Sequence, residues 1–160
     1  MKNYRQNILQ NFLALLLFTL VMAAIPTSAS AANTATLELA NNQSEAVYVA
    51  VQSWDARRNT NYTKGWFLVN PNASTRVTIE NYGDWEQVLW LYGVSKNNVW
   101  QGDPNANLSD PDLSALVNTS IEFQYWGHGG QYATQKGWQT VYFFSIKENG
   151  SHGNFIYSFE

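Results

Sequence analysis

Apolar and polar residues alternate with period two along most of this chain, which constrains the fold more than any other feature. Successive side chains on a strand point to opposite faces, so such alternation marks half-buried strands. Thr36 to Ala40 sets Leu37 and Leu39 on one face, and Glu45 to Trp54 sets Val47, Val49 and Val51 against Tyr48, Ala50 and Trp54. Thr75 to Asn81 turns Val77 and Ile79 inward and Arg76, Thr78 and Glu80 outward. Ser120 to Trp126 sets Ile121, Phe123 and Tyr125 opposite Glu122 and Gln124; Trp66 to Asn70, Trp138 to Lys147 and Asn154 to Phe159 complete the set. Glu86 to Lys96 is apolar on both sides, with Leu89 and Leu91 on one face and Val88, Trp90 and Tyr92 on the other. It predicts a central strand.

Turn residues separate these runs. Asn70-Pro71-Asn72 predicts a turn, Gly127-His128-Gly129-Gly130 a flexible loop and Asn149 to Gly153 a hairpin turn. One segment breaks the pattern. Asp110-Pro111-Asp112 offers an N-cap, a proline at the first helical position and an acid in the first turn, so Leu113 to Val117 is predicted as a short helix. The expected fold is all-β, an antiparallel sandwich or partly open barrel of about eight to nine strands with one short helix.

The N-terminus reads as a secretory signal peptide over residues 1–31. Lys2 and Arg5 precede an apolar run from Phe12 to Ile25, Pro26 breaks it, and Ala29-Ser30-Ala31 supplies a small-x-small cleavage site. The run is shorter than the roughly 18 to 20 residues that span a bilayer. No transmembrane segment is expected after cleavage, and residues 32–160 are expected to form a single β domain that is secreted or periplasmic. That stretch carries seven basic and twelve acidic residues, for a net charge of −5. Such a surface repels phosphate backbones, which argues against nucleic acid as a partner.

The chain has no cysteine. Burial and strand pairing must therefore hold it together without disulfides, although small exported domains often rely on them. Its many Trp, Tyr and Phe can supply that burial, at about 150–250 Å² each. The Asn-x-Ser/Thr triplets beginning at Asn42, Asn61, Asn72, Asn107, Asn118 and Asn149 fall mostly in predicted turns, which supports the strand boundaries.

Several of these residues also carry a resemblance. Asn41-Asn42, Ala46-Val47-Tyr48-Val49-Ala50, Gly65-Trp66-Phe67-Leu68-Val69 leading to Pro71, Trp90-Leu91-Tyr92-Gly93, Trp100-Gln101-Gly102 and the segment Gly137 to Ile146 together resemble a domain of unknown function of bacterial exported proteins, family ten-thirty-six. Phe67 stands where the family has a second Trp, Asn72 stands where it has a turn Gly, and the family's common cysteines are absent. The resemblance implies an exported single domain and assigns no catalytic residue.

The chemistry-bearing segments point weakly. Asp103 to Asp112 places oxygen-bearing side chains at alternate positions, but Leu108 and Ser114 stand where a calcium loop needs Gly and Glu, so no metal is expected. Asp84-Trp85-Glu86 spaces two carboxylates as a glycosidase could, yet it follows the turn signal Asn81-Tyr82-Gly83. His128 and His152 lack metal spacing, and no Gly-x-Ser-x-Gly elbow accompanies the glycine loop. No catalytic residue and no cofactor are expected.

Planar rings remain. Trp and Tyr combine an apolar face with a polar edge and stack on sugars while nearby amides and carboxylates bind hydroxyls. Trp54, Trp66, Trp90, Tyr92 and Trp100 are the candidate binding residues, with Trp90 the most exposed to the competing demand for core packing. The expected function is a non-enzymatic binding or envelope-interaction module for a glycan or small ligand. The alternative is a structural or protein-interaction role in the envelope with all aromatics in the core. A hydrolase has the least support.

Overall fold

Alternation builds the first layer as expected. In the computed structural model, which describes residues 33–83, 87–104 and 114–160, β1 (Ala35–Asn41) buries Ala35, Leu37 and Leu39 on one face. It pairs antiparallel with β4 (Ala73–Ile79) and parallel with β11 (Asn154–Phe159), giving the sheet order β11-β1-β4. Val77 and Ile79 of β4 and Phe155 and Phe159 of β11 point the same way as Leu37 and Leu39, into one core.

The second layer is a sheet of order β10-β5-β2-β3-β8, made from β2 (Val47–Asp55), β3 (Thr60–Val69), β5 (Val88–Val94), β8 (Phe123–Trp126) and β10 (Phe144–Lys147). A two-residue strand, β6 (Val99–Trp100), adds to the end of β5. Val47, Val49 and Val51 of β2 and Leu89 and Leu91 of β5 meet the first sheet in the first core. Ala50, Trp90 and Tyr92 point the other way, into a second core closed by a third sheet of two strands, β7 (Ser114–Asn118) and β9 (Trp138–Tyr142). The molecule is therefore an all-β sandwich without a closed barrel, and β5 within its middle sheet packs into a core on each face. Leu89 and Leu91 against Trp90 and Tyr92 fall on opposite faces as their alternation demands. Full burial of each such side chain stabilises the fold by about 1.5–3 kcal/mol.

Five expectations are corrected. Of the helix predicted over Leu113 to Val117, residues 114–117 instead lie in strand β7, with Ser114 to Asn118 in register with Tyr142 to Trp138 of β9. Five residues cannot nucleate a stable helix alone, and a neighbouring strand satisfies their backbone groups while Ala115, Leu116 and Val117 are buried. The only helical turn among the described residues is a 3-10 turn at Gly130–Tyr132. Trp138 to Lys147 is two strands in two sheets, broken at Phe143, whose ring is buried in the second core. The strand expected from Trp66 begins at Thr60. Ile121, expected inward, precedes β8 and is exposed. Asn149 to Gly153 joins two sheets rather than one hairpin, since β10 pairs with β5 and β11 with β1.

The expected signal peptide, the Asp84–Glu86 carboxylates, residues 105–112 of the Asn/Asp loop and Leu113 lie outside the described residues. Among those described, no helix is long and apolar enough to cross a membrane, and no three His, Cys, Asp or Glu residues cluster as metal ligands would.

The glycines in the aromatic motifs are packing positions. A Cβ at Gly93 would stand 2.6 Å from the Phe159 ring and one at Gly65 2.8 Å from the Phe123 ring. At Gly102 it would stand 2.4 Å from the Phe143 carbonyl oxygen, and the Gly102 N–H already donates to the Tyr142 oxygen at 3.0 Å. Backbone cannot swing aside as a ring can. Gly102→Ala is expected to cost about 1–3 kcal/mol by overpacking. Chemical denaturation checks this, and a neutral result would mean that the Trp-x-Gly segment does not press on Phe143.

Candidate functional site

One irregularity in the middle sheet decides which side chains reach which surface. Val49 opposes Phe67, but Val51 opposes Lys64, so Gly65 and Trp66 together face Ala50. This bulge sends Trp66 and Leu68 to the second-core face while Lys64 and Tyr62, also at even positions of β3, go to the opposite one. On the second-core face Tyr48 lies between Leu68 of β3 and Val94 of β5, as their register requires. The third sheet does not cover this end of the row. Tyr48 is 47% exposed and Leu68 44%.

Trp66 forms the floor beside them. Its indole Nε1 donates to the Asn118 carbonyl at 2.8 Å, its ring lies 6.1 Å from Tyr92, and it meets Phe123 edge-on at 5.6 Å. The same Asn118 builds the rim. Its Oδ1 accepts the N–H groups of Ser120 at 2.9 Å and Ile121 at 3.2 Å, an Asx turn that projects Ile121 into solvent at 61% exposure. The result is an open groove of about 510 Å³. Tyr48, Trp66, Leu68, Tyr92, Val94 and Ile121 supply its apolar surface; Thr119, Ser120, Glu122 and Gln139 supply hydroxyls, one carboxylate and an amide.

Tyr92 is 5% exposed, yet it lines the groove, and its hydroxyl makes no hydrogen bond among the described residues. Burial raises its pKa above the ordinary phenol value, so it remains a neutral donor at any physiological pH. This collection of groups offers apolar contact and hydrogen bonding.

Of the five residues selected from sequence, Trp66 and Tyr92 meet in the groove and three do not. Trp90 is 8% exposed and packs in the second core. Trp54 lies at the far end of β2 with its ring against Gly83. Trp100 packs edge-on against Phe159 at 5.1 Å, on the first-core side. Sequence reasoning missed Tyr48, Leu68 and Ile121. Tyr48 alternates with the buried valines of β2 and therefore pointed to the right face, but nothing local reveals that the third sheet stops short of it.

No protein-family model, curated protein or solved structure matches the chain.

Proposed function

We propose that the chain is an exported, non-enzymatic binding module that takes a sugar unit or a similarly sized amphipathic ligand in the Tyr48–Trp66–Ile121 groove. The observation that carries this reading is the placement of exposed apolar side chains, an aromatic floor and the polar groups of Thr119, Ser120, Glu122 and Gln139 around one concavity. A pyranose presents the same mixture, with C–H faces for rings and hydroxyls for hydrogen bonds. The signal-peptide pattern of residues 1–31 supports export, and the resemblance to family ten-thirty-six agrees with an exported single domain.

A glycan panel read by intrinsic Trp fluorescence tests it, since Trp66 lies on the groove floor. Binding is expected for at least one neutral glycan, and Tyr48→Ala is expected to weaken it by about tenfold or more. A blank panel with unchanged fluorescence sinks the glycan reading. The second reading, contact with an envelope protein, is favoured by Leu68 and Ile121, which have no side-chain hydrogen-bonding group. A photo-crosslinker at position 121 yielding one discrete protein adduct in intact cells, beside a blank panel, would favour it.

A further inference from the structure

The bulge that sends Trp66 toward the groove sends Tyr62 and Lys64 to the other face of the same sheet, where a second concavity of about 410 Å³ opens. No β8 residue belongs to the first core, so Gln124 and Trp126 of β8 stand uncovered beside the end of β4. Trp126 is 39% exposed.

A fixed cation lies within this cleft. The Asp55 side chain is buried; its Oδ1 accepts the Arg58 backbone N–H at 2.9 Å, and its Oδ2 accepts Trp126 Nε1 at 2.9 Å and Arg58 Nη1 at 3.1 Å. The guanidinium also lies over the Trp126 ring, 4.2 Å from its centroid. Closing the Ala56–Asn59 turn needs only the Asp55 bond to the backbone of residue 58, which any side chain there would allow. The guanidinium is nevertheless held at two further points while 47% of the side chain faces solvent. Its remaining N–H donors have no partner among the described residues. A guanidinium held in place gives up little freedom when it takes an anion.

Charge selects the ligand. Arg57, Arg58 and Lys64 line the cleft with Asp55 and Glu80, which leaves one surplus positive charge in a domain whose net charge is −5. That surplus suits a single carboxylate. A phosphate near −2 would overcharge the cleft and meet Glu80. Hydrogen-bonding groups surround the cation. Tyr62 donates its hydroxyl to Gln124 Oε1 at 2.8 Å, leaving the Gln124 amide N–H groups for a ligand, while Glu80, Asn81 and Thr78 offer acceptors.

We propose that this cleft binds an acidic sugar, a hexuronate unit whose carboxylate sits on Arg58 between Arg57 and Lys64 and whose hydroxyls meet Glu80 and Gln124. This site lies on the face opposite the Trp66 groove and does not depend on that groove binding anything.

Calorimetric titration with D-glucuronate, with D-glucose and with inorganic phosphate tests it on the mature chain. Glucuronate is expected to bind at least about tenfold more tightly than glucose or phosphate, and its affinity is expected to fall as salt rises. Arg58→Gln is expected to weaken it by about tenfold or more, and Tyr48→Ala in the groove is expected to leave it unchanged. Lys64→Gln, on the exposed cleft wall outside the Asp55 turn, serves as a second variant if Arg58→Gln lowers the melting temperature. Equal binding of glucuronate and glucose overturns the proposal, as do tighter phosphate binding and full affinity in a folded Arg58→Gln or Lys64→Gln protein.

Discussion

Trp90→Ala is expected to lower the unfolding free energy by about 3–5 kcal/mol, and Leu91→Ala by about 2–5 kcal/mol, in urea titration. The two residues are adjacent on β5 and empty different cores, Leu91 the first and Trp90 the second. Because β5 pairs with both β2 and β10, neither core can loosen without disturbing the sheet they share. Both variants are therefore expected to shift the same single transition to lower denaturant. If the β7–β9 sheet were a separately melting skin, Trp90→Ala would instead produce an early second transition that Leu91→Ala lacks. A cost below about 1 kcal/mol for Trp90→Ala would mark its ring as peripheral, as surface substitutions are, and would return it to the candidate binding residues.

The same pair shows why the architecture was legible and the site mostly was not. Strand identity depends on period-two burial, a local property, so Leu37, Val49, Leu91 and Val77 identified their faces from sequence. Coverage of Val88 to Tyr92 on both sides could also be read there, because no polar residue interrupts the run. The groove and the cleft depend on where a covering sheet ends and on one bulge at Ala50, which no local pattern records. Tyr62 and Trp66 are four apart on one strand and would share a face in regular pairing; the bulge separates them. Arg58 from the β2–β3 turn and Lys64 from within β3 likewise reach one cleft. β7 escaped for the opposite reason. Asp110-Pro111-Asp112 is a strong local helix signal, but the backbone of Ser114 to Asn118 gains more by pairing with β9 while burying Ala115 to Val117.

Asp55→Asn is expected to destabilise the protein by about 1–3 kcal/mol at neutral pH and to flatten its loss of stability in acid. Burial of Asp55 by itself opposes ionisation. The indole of Trp126, the Arg58 N–H and guanidinium, and the Arg58 charge outweigh it and hold the carboxyl below its ordinary value of 3.8. A group whose pKa is lower in the folded state stabilises the fold when ionised. Its contribution is complete above about pH 5 and drains as the pH falls through 3.8 and below, because the unfolded chain takes up the proton first. The exposed half of Arg58 is screened by water, so most of the effect resides in the hydrogen bonds rather than the ion pair. In the asparagine variant an amide replaces one carboxylate oxygen, so one oxygen must serve the donors that two serve now. Melting temperatures between pH 3 and pH 7 check this: the wild type is expected to lose stability more steeply toward pH 3 than the variant, and parallel curves would remove Asp55 from the account. Loss of that anchor also leaves the guanidinium held chiefly by its contact with the Trp126 ring. Glucuronate affinity is then expected to fall in Asp55→Asn even at pH 7, where the folded population is intact, which separates positioning of Arg58 from simple loss of fold.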